Sequence, residues 1–344
     1  MPLQKIDISS FTVFTDLHIS FSDGINVFIG QNGVGKTHIM KILYSACKAT
    51  SPKISFPQKM VKCFYPDEHK IGRLVRRGTP GNESASLRIT AQGLGSKANV
   101  LSAKFSRKAT QWNADMTGEE GWRKQLSELN CIFIPAKEIL SHSYNLNAAV
   151  EMNNVSFDDT YLDIINSAKI AITAGKDSAA KRALLDKMEA IIEGKVFFDK
   201  AKDEFYLKEG NTKTEFTLIA EGIRKIALLW QLIKNGALLS GSILFWDEPE
   251  ANINPAHIPL LAEMLVELQR EGVQIFIATH DYFLSKYLDV KREKEDQLKY
   301  HSFFMEDDCV RLESASEFRD LEHNTIMETF LSLYREEIER EMLL

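Results

Sequence analysis

The first fifty residues alternate between apolar and polar positions and then change to a helical spacing. Residues 6–8 and 17–21 alternate in this way, which predicts two half-buried strands joined by a turn. Asp23 and Gly24 form the next turn signal, and residues 25–29 predict a short buried strand that ends at Gly30. Apolar residues then recur at helical spacing over residues 39–44. The predicted order is a hairpin, a strand, a glycine-rich loop and a helix.

The rest of the chain shows regions of strand pattern and regions of helix pattern. Short strands with Gly, Pro and Ser between them are predicted at residues 72–77, 85–92 and 99–105. A buried strand at 131–135 precedes a segment rich in helix formers, 157–196. We further predict paired strands at 205–207 and 214–218, a helix at 222–233, buried strands at 243–246 and 274–278, a helix at 258–269 between them, and a closing helix at 324–340.

These patterns predict one domain of the α/β class over residues 1–344. It comprises an N-terminal hairpin with the glycine loop (1–50), an antiparallel β subdomain (51–130), an inserted helical lobe (131–218) and a C-terminal part (219–344). The core sheet is expected to be mixed and largely parallel, with the glycine loop at its edge.

The composition narrows the class of protein. No apolar run approaches the roughly 20 residues that span a bilayer, and no signal peptide is visible, so we expect a cytoplasmic protein without a membrane contact. The four cysteines are scattered without a C-x-x-C pair, which argues against a zinc site or a disulfide framework and favours buried thiols.

The net charge of −6 gives no overall attraction to nucleic acid, so any DNA contact must come from a local patch. Two clusters of basic residues are candidates, and a solvated strand face is the alternative for both. The clusters are Arg73, Arg76 and Arg77, and Lys104, Arg107 and Lys108.

The glycine loop carries the strongest chemical signal. Gly30-Gln31-Asn32-Gly33-Val34-Gly35-Lys36-Thr37 matches G-x-x-x-x-G-K-[ST] and lies between a predicted strand and a predicted helix. Such a loop directs backbone N–H groups at phosphates, while its lysine neutralises the β and γ groups and its hydroxyl binds Mg²⁺. We predict that ATP is bound by Gly30, Asn32, Gly33, Val34, Gly35, Lys36, Thr37 and His38.

Two carboxylates follow the buried strand at residues 243–246. Asp247 is predicted to bind Mg²⁺ together with Thr37, and Glu248 to polarise the attacking water. Adjacent side chains on a strand point to opposite faces, so the two acids need different roles. His280 follows the strand at 274–278 and should emerge at the same edge of the sheet, where it is predicted to sense the γ-phosphate.

The order of motifs resembles that of a known group of ATPases. The phosphate loop, Glu221-Gly222-Ile223-Arg224-Lys225, the segment Asp247-Glu248-Pro249-Glu250-Ala251-Asn252-Ile253-Asn254-Pro255 and Thr279-His280 resemble the ABC-type head ATPases of the SMC, RecF and OLD group. The resemblance covers essentially the whole chain and looks closest to the compact AAA-family ATPases of bacterial phage-defence systems. It implies a P-loop NTPase fold of ABC-ATPase type.

The resemblance also implies how two copies meet. In such heads the helix start of one subunit caps the γ-phosphate held by the other, so Gly222 is predicted to contact ATP in a homodimer or higher oligomer. Ala220 stands where a phosphate-binding serine is common. Ile134-Pro135-Ala136-Lys137-Glu138 falls where these ATPases carry the Q-loop, but it contains no glutamine, and Lys137 is assigned no catalytic role. Asn252 and Asn254 resemble the loop that crosses the dimer seam, with a plain Asn-Pro turn as the alternative.

Three functions are compatible with these residues. By resemblance, the first is an ATPase that controls a separately encoded effector such as a nuclease, since no nuclease constellation is visible in the chain itself. A RecF-like repair ATPase with nucleotide-dependent DNA binding is the second. A transporter ATPase subunit is the third, and the absence of an L-S-G-G-Q run argues against it.

Overall fold

The computed structural model describes residues 2–78, 83–93, 98–127, 129–152, 155–172 and 177–342. Its strands are β1 (Leu3–Phe11), β2 (Phe14–Ser20), β3 (Ile25–Gly30), β4 (Ser84–Gln92), β5 (Ala98–Ser106), β6 (Asp115–Thr117), β7 (Cys131–Ile134), β8 (Lys195–Asp199), β9 (Glu204–Glu209), β10 (Thr212–Glu215), β11 (Ile243–Asp247), β12 (Gln274–Ala278), β13 (Leu298–Glu306) and β14 (Cys309–Ala315). Its α-helices are α1 (Lys36–Lys48), α2 (Phe56–Phe64), α3 (Glu119–Gln125), α4 (Leu146–Glu151), α5 (Asp159–Ala168), α6 (Ala179–Ile192), α7 (Glu221–Lys234), α8 (Ile258–Arg270), α9 (Tyr282–Lys291) and α10 (Thr325–Met342).

The core sheet has six strands in the order β14-β13-β3-β12-β11-β7. The pairs from β13 through β3, β12 and β11 to β7 are parallel, and β14 is antiparallel to β13. This confirms the predicted mixed and largely parallel sheet. Strand β12 lies between β3, which leads into the phosphate loop, and β11, which ends in the two acids.

The central strands are apolar on both faces because each face packs into a different hydrophobic core. Ile275 and Ile277 of β12 belong to the core formed with α7 and α8. Phe276 between them belongs to the core formed with α1 and the antiparallel sheet. Successive side chains of a strand point to opposite faces, so an unbroken apolar run is what a sheet covered on both sides requires.

The antiparallel sheet contains the opening hairpin as well as the strands of the second segment. Its order is β2-β1-β4-β5-β6, with β1 antiparallel to both β2 and β4. The hairpin and the strands at 85–92 and 99–105 were predicted correctly. The strand predicted at 72–77 is wrong, because residues Ile71–Leu74 form a 3-10 turn and Val75 makes only an isolated bridge to Phe11.

Helix α2 was not predicted, although its sequence carries helix-start signals. The Ser55 hydroxyl accepts a hydrogen bond from the Gln58 N–H, and Pro57 stands in the first turn. Serine at an N-cap and proline at the start of a helix are both favourable. Serine and proline also interrupt strands, so the pattern alone predicts short strands in this segment.

The region after β7 combines the predicted helices with a small sheet of order β10-β9-β8. Helices α5 and α6 confirm the helical prediction, but β8 begins at Lys195, one residue before that prediction ended. The second predicted strand of the following pair is shorter than expected, since β10 ends at Glu215 and a 3-10 turn follows. Partly buried ion pairs connect α5 and its N-cap Asp158 to the phosphate-loop helix and its neighbour α2. They are Lys41–Asp158 at 2.8 Å and Lys59–Asp159 and Lys59–Asp163 at 2.6 Å.

Helix α10 lies on the surface and has no buried side chain. The Phe330 ring stacks on Tyr282 with the centroids 4.1 Å apart, which places the start of α10 beside α9. Among the described helices, none is both long and apolar enough to cross a membrane. All four thiols are free, and Cys309 differs from the expectation because it is only partly buried.

Candidate functional site

The glycine loop joins β3 to α1 as its sequence predicts. Gly35 is the N-cap of α1 with a φ of 93°, and a Cβ there would lie 2.4 Å from the Phe14 ring. At Gly30 φ is 133°, and a Cβ would lie 2.2 Å from the Phe303 carbonyl oxygen. Any side chain at these positions would collide with neighbouring strands. No side chain caps α1, so the N–H groups of its first turn can bind an anion.

Lys36 lies inside this loop and is only 7% exposed. Its Nζ donates hydrogen bonds to the carbonyl oxygens of Gly30, at 2.7 Å, and Gln31, at 3.0 Å. Burial lowers the pKa of Lys36 to about 8, although the carboxylates of Asp247 and Glu248 oppose this shift. A phosphate beside the ammonium would supply the negative charge that favours its protonated form.

Thr37 and Asp247 meet across the site. The Thr37 hydroxyl donates a hydrogen bond of 2.9 Å to Asp247 Oδ2. Burial raises the pKa of Asp247, and the hydrogen bond from Thr37 opposes that rise. A hydroxyl and a carboxylate at this separation fit Mg²⁺, which binds few protein oxygens and completes its octahedral shell with phosphate oxygens and water.

Glu248 has a strained backbone that is hydrogen-bonded on both sides. Its φ is 47°, in the left-handed region that a residue other than glycine rarely adopts. Its N–H donates to the Ala278 carbonyl oxygen at 2.9 Å, and its own carbonyl oxygen accepts from Lys225 Nζ at 3.0 Å. Strain of this kind costs about 1–3 kcal/mol and persists only where neighbouring contacts enforce it.

Glu250 connects the acidic turn to the end of β12. Its Oε1 accepts hydrogen bonds from the Thr279 hydroxyl, at 2.7 Å, and from the His280 N–H, at 3.2 Å. Its Oε2 is buried and has no hydrogen-bond partner within the described residues. Burial raises the pKa of Glu250 to about 6. The sequence alone did not single out this carboxylate.

His280 emerges at the same edge of the sheet as the two acids, as predicted. Its pKa is lowered, first by partial burial and then by the nearby Lys36 ammonium, and the Glu248 carboxylate opposes the shift. A neutral imidazole at neutral pH can donate a hydrogen bond from one ring nitrogen and accept one at the other.

A cavity of about 180 Å³ brings most of the predicted residues together. Its lining residues are Asn32, Gly33, Gly35, Lys36, Thr37, His38, Asp247, Glu248 and His280. Larger cavities exist elsewhere, including one of about 660 Å³ beside α9 and β13. We assign the site by its convergent chemistry, because this small cavity contains the lysine, the hydroxyl and the carboxylates predicted from the sequence.

The side chain of His38 is occupied by contacts within the fold. Its Nδ1 lies 3.0 Å from the Thr12 hydroxyl, and its ring centroid lies 5.3 Å from that of Phe64. Burial lowers its pKa to about 4, assisted by Lys41. A contact to nucleotide through the backbone N–H of His38, in the first turn of α1, therefore fits better than one through the imidazole.

Gly222 is buried and does not line the cavity. A Cβ at this position would lie 2.3 Å from the Asn252 carbonyl oxygen and 2.9 Å from Ile253 Cα. Close packing within one chain is thus a sufficient reason for glycine here, and the predicted contact to a second subunit's nucleotide stays a prediction. Asn254 Oδ1 accepts from the Ala256 N–H at 3.0 Å, which is the local Asn-Pro turn.

Arg224 and Lys225 are engaged inside the chain. Arg224 forms a 2.8 Å ion pair with Glu138, whose side chain is 1% exposed. Lys225 is also 1% exposed, although a basic pair on a helix is often solvated. By contrast, Lys137 is exposed to solvent. The helical spacing could have indicated that Lys225 is buried, because position 225 lies one turn from Gly222 on the buried face of α7.

The fold and site together are those of an ABC-type P-loop ATPase domain: a phosphate loop and a strand end with two acids on a mixed sheet, with an antiparallel sheet packed on one face. Comparison with known protein families gives the same class. Residues 1–156, which contain the phosphate loop, match the family described as "AAA ATPase domain". Residues 179–286, which contain Asp247 and His280, match "AAA domain, putative AbiEii toxin, Type IV TA system".

Curated relatives include DNA replication and repair protein RecF from two bacteria. The Bacillus cytotoxicus protein is 32% identical over 117 residues, which are 34% of this chain and 30% of that protein. The Streptococcus thermophilus protein is 31% identical over 107 residues, which are 31% of this chain and 29% of that protein. The match therefore spans less than a third of either relative.

Solved SMC heads share the fold over nearly the whole chain. An SMC head bound to the C-terminal winged-helix domain of ScpA has a TM-score of 0.59 at 14% identity and covers 92% of this chain and 98% of that one. The SMC head domain from Thermotoga maritima has a TM-score of 0.50 at 14% identity, with coverages of 92% and 99%. The chain thus has the fold of SMC heads, matches AAA family models over residues 1–156 and 179–286, and is similar to RecF over about a third of its length.

Proposed function

We propose that this chain binds ATP with Mg²⁺ and hydrolyses it. The observation that carries the proposal is the single cavity that contains Lys36, Thr37, Asp247, Glu248 and His280. These side chains come from three elements far apart in sequence, and they supply the functions that phosphoryl transfer to water requires: phosphate binding, metal binding and orientation of the nucleophile.

Phosphate binding rests on the loop and the start of α1. The uncapped N–H groups and the positive end of the helix dipole favour an anion at this position. Lys36 exchanges its bonds to the Gly30 and Gln31 carbonyl oxygens for bonds to the phosphates. Gly30, Asn32, Gly33, Val34 and Gly35 supply the loop backbone around them.

Thr37 and Asp247 would hold Mg²⁺, which neutralises charge on the β and γ phosphates when bound. Glu248 would orient the attacking water and accept its proton; the support for this role is that the residue lines the cavity and follows directly on the strand that ends in Asp247. His280 hydrogen-bonds the γ-phosphate from the neighbouring strand end. The two acids thereby divide metal binding and base catalysis between them.

We further propose that two copies enclose ATP between them. Support comes from the exposed side of the phosphate loop, which borders a cavity of about 550 Å³ between Gln31, His280 and the apolar side chains Ile326, Phe330 and Leu333 of α10. Gly222 at the start of α7 would then approach the partner copy's nucleotide, without the hydroxyl that Ala220 lacks. The similar SMC head bound to ScpA supports a further partner protein. If the chain acts like the phage-defence ATPases that its motifs resemble, this partner is an effector such as a nuclease.

A RecF-like function with DNA as the partner is the second candidate. A cavity of about 610 Å³ is lined by Lys70, Arg73, Arg77, Arg107 and Lys108, with Glu68 beside them. Ion pairs partly neutralise this surface, since Arg73 contacts Asp67 at 2.7 Å and Lys70 contacts Glu68. ATP-dependent affinity for duplex DNA that falls steeply with salt would favour this candidate.

Three variants test the proposed hydrolysis. Lys36→Ala should lose ATP binding, whereas Glu248→Gln should bind ATP, stop turning it over and accumulate as a dimer with Mg²⁺ present. Lys53→Ala, at an exposed position, is the matched control for Lys36→Ala. ATP binding, phosphate release and mass by light scattering are measured for each. If Glu248→Gln hydrolyses ATP at the wild-type rate, Glu248 is not the catalytic base. If the wild-type protein hydrolyses ATP as a strict monomer, two copies do not need to enclose ATP for hydrolysis.

A further inference from the structure

The first two turns of α7 contact the turn that carries Glu248 at two points. Gly222 packs so closely against the Asn252 carbonyl oxygen that a Cβ would lie 2.3 Å from it. One helical turn further on, Lys225 Nζ donates a 3.0 Å hydrogen bond to the Glu248 carbonyl oxygen. Residues three apart share a face of a helix, so one face of α7 contacts both ends of the segment from Glu248 to Ile253.

Burying the charged side chain of Lys225 costs free energy, because its ammonium group loses contact with water. The side chain is 1% exposed and lies among apolar residues of α7. Burial lowers its pKa, and the carboxylates of Glu250 and Glu221 oppose that shift without forming an ion pair within 4.0 Å. Lysine is almost never fully buried without a partner, and here its hydrogen-bond partner is a main-chain oxygen of the acidic turn.

The Glu248 peptide needs such a partner. Its carbonyl oxygen accepts from the Ala251 N–H at 3.1 Å as well as from Lys225. On the other side, its N–H is fixed by the Ala278 carbonyl oxygen at the end of β12. A residue with a φ of 47° relaxes unless both neighbouring peptides are held. Of these three hydrogen bonds to the Glu248 main chain, the one from Lys225 comes from a side chain, so a substitution can remove it.

We infer that Lys225 is a positioning residue for hydrolysis, which fixes the Glu248 peptide and with it the direction of the Glu248 carboxylate into the nucleotide cavity. The inference rests on the proposed role of Glu248 as the base. Lys225 is not among the residues that line the nucleotide cavity, and it acts through the main chain of Glu248. It also connects this base to the helix whose start would face a second nucleotide.

The test replaces the ammonium while keeping the length of the side chain. Lys225→Met should bind a non-hydrolysable ATP analogue within a factor of about three of wild type, while kcat falls on the order of a hundredfold, the loss that misplacement of a catalytic group by about 1 Å produces. Lys225→Arg restores a donor and should recover part of kcat. Lys234→Met on the same helix, where Lys234 pairs with Asp177 at 2.5 Å near the surface, is the matched control and should keep wild-type turnover.

A double-mutant cycle separates positioning from general stability. If Lys225 acts through Glu248, adding Lys225→Met to Glu248→Gln should lower the residual rate no further. Additive losses, or wild-type turnover by a folded Lys225→Met protein, would overturn the inference. Lys225→Gln provides a second neutral variant should the methionine variant not fold, and failure of both to fold would assign Lys225 to stability alone.

The same cycle distinguishes failure of this inference from failure of the proposed function. If Glu248→Gln keeps wild-type turnover, Glu248 is not the catalytic base, and Lys225 then has no positioning role in hydrolysis. If Glu248→Gln stops turnover while Lys225→Met does not, ATP hydrolysis by Glu248 stands and only the role of Lys225 is lost.

Discussion

Thr37 and Asp247 are joined by a 2.9 Å hydrogen bond although 210 residues separate them in sequence. Thr37 belongs to the first turn of α1, and Asp247 is the last residue of β11. This bond marks the place where the phosphate loop and the acidic strand end meet. In the proposed mechanism these two oxygens hold Mg²⁺ beside the phosphates, because a hydroxyl and a carboxylate are ligands that suit a hard divalent cation.

Substitution of Thr37 and substitution of Asp247 should both weaken Mg²⁺ binding, but by different amounts. Asp247→Asn loses a charged ligand and should lower turnover at saturating ATP by about a hundredfold or more, whereas Thr37→Ala loses a neutral one and should mainly raise the Mg²⁺ concentration needed. Turnover measured as a function of Mg²⁺ at fixed ATP checks both. Equal effects of the two substitutions would argue against Asp247 as the stronger ligand.

ATP affinity should depend on pH through Lys36. The pKa of this lysine in the free protein is about 8, and bound phosphates should raise it, so binding takes up a proton above pH 8. Affinity is therefore highest below pH 8 and should fall about tenfold between pH 7 and pH 9, as the protonated fraction falls. Fluorescent ATP titrations at both pH values test this. Lys36→Arg, which keeps its charge throughout, should show no such change, and the same slope in this variant would exclude Lys36 as its origin.

Glu250 should reduce stability at neutral pH. Its pKa in the folded protein is about 6, above the ordinary value of 4.5. The folded state therefore binds more protons than the unfolded state between these values, so the free energy of unfolding falls as pH rises through this window. Glu250→Gln should raise the free energy of unfolding by about 2 kcal/mol at pH 8 and leave it nearly unchanged at pH 4. Urea unfolding at the two pH values measures the difference, with the exposed Glu295→Gln as control.

Gly222 and Gly121 form a matched pair of helical glycines. An added Cβ at Gly222 would lie 2.3 Å from the Asn252 carbonyl oxygen, whereas at Gly121 the nearest atom is the Asn99 side-chain oxygen at 3.9 Å. Gly222→Ala should therefore lower the free energy of unfolding by about 1–3 kcal/mol and reduce turnover, because the turn beside Glu248 must move. Gly121→Ala should be neutral or stabilise by up to about 1 kcal/mol. Thermal unfolding and phosphate release are measured for both, and equal stability of the two variants would contradict the close packing of α7.

The residues lining the nucleotide cavity could be predicted because their signals are local. A glycine loop between a strand and a helix, and acids at the end of an apolar run, can be recognised within about ten residues. Parallel strands then bring their carboxyl ends to one edge of the sheet, which is why His280 was placed correctly. The hydrogen bonds of Glu250 and Lys225 have no such signal, because they depend on how β12 and α7 pack against one turn; the helical spacing indicates only that Lys225 lies on the buried face of α7.

The fold was predictable where a segment buries one or two faces in a regular way. The strand predicted at 72–77 is wrong because its first residues form a 3-10 turn. Only Val75, directly after that turn, forms a bridge to β1. Pairing of the opening hairpin with β4 also had no local signal, since 83 residues separate the register partners Ile6 and Ile89. Long-range pairings of this kind are set by the shared core rather than by the strand sequences.

The position of β12 fixes the width of the nucleotide cavity. At its end the Thr279 N–H donates to the Phe28 carbonyl oxygen at 3.0 Å, and the Ala278 carbonyl oxygen accepts from Glu248 at 2.9 Å. The strand leading to the phosphate loop and the strand ending in the acids are therefore two ladder spacings apart, about 9–10 Å. Main-chain hydrogen bonds set that distance, so variants of the lining side chains should change the chemistry of the cavity while its span stays constant.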